Sequence, residues 1–268
     1  MLDQRQTFQV SSAGRALGKF LAQHLTKDEI AGRVLDLGTG SGAMALMLRA
    51  MGATSITATD ISFTAVETAQ RNELLNFPDS RIDFQVSDVF ETTDGPLTGP
   101  FDLVVFNPPG WRSPSPELKA QLDTCAGALD LAAMFHGETV LLRFLDQLAS
   151  RLAPGGRAIV GLNSLVGVSD VLERSKAAYV RVGGGKLKLR VLDRIELPLL
   201  LYTEEWASVR SGLLREFESH RRLYGAQYVI RDEMLYWYYE ITELTVVDSP
   251  DLPLRQQGID GAGDEDDR

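Results

Sequence analysis

Asn107-Pro108-Pro109-Gly110-Trp111 closes an apolar run, Asp102-Leu103-Val104-Val105-Phe106. Consecutive prolines lack backbone donors and hold the chain in one direction. The loop therefore offers acceptors, chiefly the side-chain oxygen of Asn107 and the carbonyl of Pro108. Together they can hold both hydrogens of an NH2 group. That turns the nitrogen lone pair outward for attack and stabilises the positive charge that develops there. Such chemistry rests on positioning, and the motif accordingly contains no His, Lys or Cys. Taken alone, Asn-Pro-Pro also reads as a rigid turn that ends a strand.

A second stretch, Val34-Leu35-Asp36-Leu37-Gly38-Thr39-Gly40-Ser41-Gly42, sets three glycines at alternate positions after another apolar run. Glycine lets the backbone turn tightly and approach a ligand closely. The third glycine arrives one residue too early for the dinucleotide pattern GxGxxG, which argues against a dehydrogenase. Two further acids follow successive apolar runs: Asp60 after Thr57-Ala58-Thr59, and Asp88 after Phe84-Gln85-Val86-Ser87. A carboxylate in the place of Asp60 can accept hydrogen bonds from both ribose hydroxyls of a nucleotide. Each acid alone is a strand-end residue or a helix N-cap; three in register after three strands mark one ligand-binding edge.

These residues need strands beneath them. Apolar runs at Arg33–Leu37, Ser55–Thr59, Ile82–Val86, Leu103–Phe106 and Arg157–Leu162 alternate with helical patterns at Gly42–Met51, Phe63–Leu75 and Glu138–Leu152, the signature of parallel strands with crossovers. Ala153-Pro154-Gly155-Gly156 reads as a turn from the last helix into its strand. Leu17, Phe20, Leu21 and Leu25 give residues 11–25 one apolar helical face. Further on, Lys186–Leu201 reads as a strand, Glu204–Arg222 as an amphipathic helix and Leu235–Val247 as a strand rich in Tyr, Trp, Ile, Thr and Val. The fold class expected is α/β, a doubly wound Rossmann-like sheet of seven strands whose last strand inserts antiparallel. Residues 1–32 form its N-terminal helical part and 33–247 its main domain. Within that domain, 164–185 and 203–234 are read as insertions capping the acceptor pocket, with Gly183-Gly184-Gly185 as a hinge or turn.

The chain has 268 residues and a formal charge of −10. Seven acids after Val247 against Arg255 and Arg268 put −5 into residues 248–268, a polar tail read as disordered. The remainder is acidic too, which argues against a surface that tracks nucleic-acid phosphates. One cysteine, Cys125, excludes an intrachain disulfide and reads as a small buried residue. With no signal-peptide core and no apolar run long enough to span a bilayer, a cytoplasmic protein without membrane contact is expected. Its oligomeric state stays open.

VLDLGTGSG, TATD, VSDVF and FNPPG together resemble the [N/D]PP[Y/F] amino-methyltransferases, class I enzymes dependent on S-adenosylmethionine, especially the release-factor glutamine methyltransferases and their small-domain relatives. The resemblance spans roughly Arg33 to Leu162. It implies that Gly38, Thr39, Gly40 and Gly42 make room for the methionine part of S-adenosylmethionine, with Asp36 near its ammonium group. Asp60 would take the ribose and Asp88 the adenine amino group, with Ile61 and Val89 on either side of the ring. Asn107 and Pro108 would hold a planar nitrogen as methyl acceptor, and Asn107 would also border the cofactor. Two departures stand out. The aromatic expected after the second proline is Gly110, so either Trp111 supplies the ring one position later or the pocket admits a bulkier acceptor, with Pro109 and Trp111 beside it. The release-factor enzymes carry a substantial N-terminal recognition domain, whereas about 32 residues precede the first strand here, so release-factor recognition is not expected; the size of the later insertions and the absence of basic excess favour a small molecule or a short peptide.

Other chemistry-bearing residues add little. His24, His136 and His220 are too dispersed for a metal site. His136, near the acceptor loop, reads as a general base if the acceptor is a hydroxyl, and otherwise as a helix-end or surface histidine. Tyr236-Trp237-Tyr238-Tyr239 alternates as sheet packing does. The alternatives to N-methylation are O-methylation, methylation of ribosomal RNA or protein, and a cofactor-binding subunit without activity of its own.

Overall fold

A computed structural model describes residues 10–124, 133–182, 186–200 and 204–247. Cys125, the triple glycine 183–185 and the acidic tail lie outside them. Helix α1 (Ser12–His24) starts where Ser11 Oγ accepts a hydrogen bond from Gly14 N at 3.0 Å, and it buries Leu17 and Leu21. The winding then runs β1 (Arg33–Leu37), α2 (Ala43–Met51), β2 (Ser55–Asp60), α3 (Phe63–Asn76), β3 (Asp83–Asp88), the short β4 (Glu91–Thr92) and β5 (Gly95–Pro96), and β6 (Phe101–Phe106). After it come α4 (Pro116–Thr124), α5 (Gly137–Leu148), β7 (Leu152–Asn163), α6 (Val168–Val182), β8 (Lys186–Pro198), α7 (Glu204–Tyr224), β9 (Tyr228–Arg231) and β10 (Met234–Val247). Among the described residues no helix is long and apolar enough to cross a membrane.

The principal strands lie in the order β3-β2-β1-β6-β7-β10-β8, parallel up to β7, with β10 antiparallel between β7 and β8. The seven-stranded Rossmann-like sheet expected from the sequence is there, extended by β4 and β5 at one edge and by β9, which pairs with β10. Alternation along the strands separates two cores. Val34, Leu103, Val105, Ile159 and Ile241 face one side with α1, α2, α4 and α7, whereas Leu35, Leu37, Val104, Phe106 and Val160 face the other with α5 and α6.

Two parts of the sequence reading are corrected. Ala153–Gly156 is a bulge rather than a turn between helix and strand: α5 stops at Leu148, Leu152 already pairs with Phe101, and the register jumps so that Arg157 meets Leu103. A side chain on Gly156 would run into the carbonyl of Phe101 at 2.7 Å, so the bulge closes tightly on the neighbouring strand. The first insertion contributes a sheet layer, whereas the helix of the second lies behind the acceptor loop, with Phe217 against Trp111. Helix α6 packs on α5 and β8, with Val171 in the second core, because its apolar stripe has a sheet face to cover. Helix α7 lies on α4, its Val209, Leu213 and Phe217 in the first core. No described residue of 164–185 or 203–234 lines the cavity at the strand ends.

Candidate active site

The carboxyl ends of the parallel strands open into a cavity of about 740 Å³, where ligands bind in open α/β sheets. All the residues assigned to the cofactor and acceptor sites from the sequence line it except Gly42. Gly38, Gly40 and Gly42 have positive φ of 68°, 55° and 83°, a region costly to residues with a Cβ. Gly42 belongs to the packing instead: a Cβ there would meet Ala69 of α3 at 3.0 Å, whereas one on Gly40 would meet nothing within 4 Å. Close to α3, then, the loop turns an open face to the cavity at Gly40.

Wiring holds that loop. Asp36 is buried; its Oδ2 accepts from Thr39 Oγ1 at 2.6 Å and from Ala45 N at 3.0 Å. Burial is the main cause that pushes its carboxyl up to about 7, the nearby Asp60 carboxylate adding to it while the two hydrogen bonds oppose it. Asp60 clamps both ends of the turn, Oδ2 accepting from Gly40 N and Oδ1 from Ser62 N, each at 2.9 Å. Asp60 also lines the cavity, where a ligand hydroxyl can approach its carboxylate. Ile61 is 62% exposed at the cavity, opposite in character to Val89, which is buried with a φ of 58° and whose carbonyl accepts from Ser87 Oγ at 2.7 Å.

Sequence reasoning missed Arg143. On α5, its Nη1 donates to both carboxylate oxygens of Asp88 at 2.8 Å, and the two side chains are 39% and 44% exposed. Any ligand amino group reaching Asp88 must share that carboxylate with a guanidinium. The sequence signal was weak, because Arg143 lies 55 residues from its partner.

At the end of β6 the acceptor loop is stapled to the start of α5. Trp111 N donates to Met134 O at 2.9 Å, Gly137 N to Trp111 O at 2.7 Å, and Ser113 N to the Glu138 carboxylate at 3.0 Å. Gly137 is required there, since a Cβ would sit 2.2 Å from the carbonyl oxygen of Pro109. Gly110 stands in place of an aromatic for a similar reason: a Cβ would sit 2.3 Å from Nδ2 of Asn163. Trp111 is buried edge-on against Phe135 and Phe217, with ring centres 5.3 and 5.4 Å away. Behind it Arg112 donates to Val166 O at 2.7 Å and pairs with Asp170 at 2.8 Å, tying the loop to α6. His136 is exposed at the rim with φ 66°, its Nδ1 2.8 Å from Ser113 Oγ.

The chief residue that sequence reasoning missed is Tyr239. Read as sheet packing, it does alternate with Tyr236 and Tyr238, which lie under Arg231 and Arg194. Its hydroxyl, however, donates to Asn107 Oδ1 at 2.7 Å. Burial pushes the phenol well above its ordinary value, so it is a fixed donor. Room for it comes from Gly161 of β7, two residues along from its register partner Asn163, where a Cβ would fall 1.7 Å from the tyrosine oxygen. A glycine inside the buried run Ala158-Ile159-Val160-Gly161-Leu162 was the available signal that something bulky approaches there.

Comparison with known proteins agrees with this geometry. The methyltransferase small domain family matches residues 16–121. A release factor glutamine methyltransferase of Rhodopirellula baltica is 33% identical over 58% of this chain and 55% of its own; that of Bradyrhizobium diazoefficiens is 36% identical over 54% and 48%. The chain thus spans about half the length of these two relatives. A Methanocaldococcus jannaschii protein bearing the name of a protein N5-glutamine methyltransferase is 29% identical over 65% of this chain and 80% of its own. Among solved structures, the YcgJ protein of Bacillus subtilis superposes with a TM-score of 0.52 at 13% identity, over 88% of this chain and 99% of that one. Trm5b of Pyrococcus abyssi gives 0.52 at 15% identity, over 91% and 52%. Both share the fold.

Proposed function

We infer that this chain, a class I methyltransferase of the Asn-Pro-Pro type, is an S-adenosylmethionine-dependent N-methyltransferase whose acceptor is a planar nitrogen held by Asn107 and Pro108. One observation carries the reading: the Asn107 carboxamide stands at the end of β6, fixed by Tyr239, beside a glycine loop and three acid-bearing strand ends.

The residues present fit S-adenosylmethionine. Gly40 leaves a cradle that a side chain would fill, and the clamped carboxylate of Asp60 stands at the cavity wall, where ribose hydroxyls would reach it. Asp36 lies where a cationic amino group would favour its ionised form. Ile61 and Val89 flank the place for a flat base. When bound, the donor supplies an electrophilic methyl: the nitrogen–carbon bond forms as the sulfur–carbon bond breaks, the bonding pair leaving with sulfur as a neutral thioether.

The chain's own part is positional. With Tyr239 on one lone pair of Asn107 Oδ1, the other faces an acceptor N–H, while the Pro108 carbonyl takes the second. Both acceptors strengthen their hold as the nitrogen becomes positive, which is stabilisation specific to the transition state. The displaced proton leaves for water at the rim beside His136. The test is mass spectrometry of protein incubated with S-adenosylmethionine and a panel of amides, ring amines, guanidines, hydroxyl compounds and short peptides. A one-methyl gain on nitrogen, lost in Asn107→Ala, supports the reading. A gain on oxygen that survives Asn107→Ala and disappears in a His136 variant replaces it with base-catalysed O-methylation.

A further inference from the structure

We propose that the acceptor is a neutral, flat, largely apolar small molecule, a heteroaromatic amine or aromatic amide, rather than a peptide glutamine, a guanidine or a nucleotide. The proposal rests on the methyl-transfer reading above and concerns the half of the cavity that the donor does not need.

The cavity's charges are segregated. Asp36, Asp60 and Asp88 sit at the ends of β1, β2 and β3, and Arg143 is drawn to that side by Asp88. The ends of β6, β7 and β10, with the residues after β8, form the other half. Among its described lining residues there is no carboxylate, lysine or arginine; His136 at the exposed rim is its one ionisable base. Its walls are Trp111, Phe135, Trp237, Pro198, Leu199 and Leu200. Trp237 and Tyr239 meet edge to face at 6.0 Å, and Trp111 and Phe135 at 5.3 Å, so two aromatic pairs line this half.

A guanidinium, ammonium or phosphate entering such a chamber would lose its hydration and meet no opposite charge among the described residues, which disfavours it heavily. A glutamine side chain offers the right amide to Asn107, but it brings two flanking peptide groups. The polar atoms within reach are few, and Asn163 Oδ1 is already bonded to Leu165 N at 2.9 Å. A flat neutral ring loses little on desolvation and gains contact with every wall. Its single exocyclic or ring nitrogen then meets the two acceptors of the Asn-Pro-Pro loop, the usual division between apolar walls and a few orienting polar groups.

The experiment is equilibrium binding to the full chain, with and without saturating S-adenosylhomocysteine, followed by the fluorescence of its tryptophans and by calorimetry. The probes are benzimidazole and benzamide, agmatine, adenosine monophosphate and a glutamine-containing tripeptide. The neutral aromatics are expected to bind roughly tenfold or more tightly than any of the others. Trp237→Ala should weaken them at least roughly tenfold while S-adenosylhomocysteine affinity holds. Leu200→Asp, at a side chain 41% exposed and therefore safe for folding, should reverse the preference toward agmatine. Tighter binding of the tripeptide, agmatine or the nucleotide to the unaltered chain overturns the proposal, and so does failure of both neutral aromatics to bind. Failure of S-adenosylhomocysteine to bind overturns the methyl-transfer reading instead, and the preference among probes is still read on the protein without it.

Discussion

The two halves of the cavity are built on different plans. At the ends of β1, β2 and β3 the binding groups come from short consecutive segments, each a strand with its acid at or next to its last residue; backbone donors hold Asp36 and Asp60, and Asp60 reaches the glycine loop at Gly40 N. At the ends of β6, β7 and β10 the binding groups come from residues far apart, Tyr239 lying 132 positions after Asn107. The first plan fixes charge in place for a ligand common to many enzymes. The second leaves a chamber whose described walls carry no carboxylate, lysine or arginine, in which shape and one carboxamide decide what enters. It follows that substitutions in the acceptor half should cost turnover, and those in the other half should cost affinity for the donor.

The largest effect is expected at Asn107. With alanine there, the acceptor nitrogen loses one of its two orienting partners, and turnover should fall by roughly a hundred- to a thousandfold, in line with the loss of one preorganised transition-state partner. Initial rates at saturating donor, on whichever acceptor the panel reveals, measure it. A drop carried wholly by the donor's KM would erase the distinction between the two halves.

Next comes the pair Tyr239 and Gly161. Tyr239→Phe keeps the ring and removes the hydrogen bond to Asn107, a loss of about 1 kcal/mol, so kcat should fall roughly fivefold to tenfold with little change in KM. Gly161→Ala puts a methyl where the phenol oxygen lies. The tyrosine must move, and overpacking of this kind costs about 1–3 kcal/mol of stability, read from a denaturant midpoint. If Gly161→Ala is neutral in both stability and rate, Tyr239 does not position Asn107.

That pair also marks the limit of what the sequence discloses. The donor half is legible because the information is local: an apolar run, an acid at its end and glycines at fixed spacing need no knowledge of the rest of the fold. The succession of strands and helices along the chain is legible for the same reason, since the period of each run separates strand from helix. Tyr239 is not, because its role depends on β10 inserting beside β7 so that the phenol reaches over Gly161. Arg143 is one of many helix arginines until α5 is docked over β3. The stretch 164–185 reads as a cap because an amphipathic segment after the fifth strand does not disclose which surface it covers; α6 covers the sheet.

A smaller effect distinguishes the halves by pH. Burial keeps the Asp36 carboxyl protonated up to about 7, and a cationic amino group beside it favours the ionised form. Because the folded carboxyl holds its proton above the ordinary carboxylate range, binding of the donor must release that proton at lower pH. Affinity for S-adenosylmethionine should therefore rise between about pH 5.5 and about 7, by at most about tenfold per pH unit, and then level off. Calorimetry in buffers of different ionisation enthalpy reports the released proton directly. Asp36→Asn should abolish the slope, and a slope that persists in that variant assigns the titration to another group.

The smallest effect expected is at Arg143. Its bond to Asp88 lies between half-exposed groups, where an ion pair contributes less than about 1 kcal/mol and is weakened by salt. Arg143 holds the carboxylate in one orientation, so Arg143→Ala should lower affinity for S-adenosylmethionine less than about fivefold. Asp88→Ala, which removes the acceptor itself, should lower it more. Turnover at saturating donor should hardly change in either variant, because neither residue reaches the acceptor chamber. If Arg143→Ala cost more affinity than Asp88→Ala, the guanidinium would itself be the ligand-binding group at the end of β3, with Asp88 its support, and the donor half would lose the purely acidic character that separates it from the acceptor half.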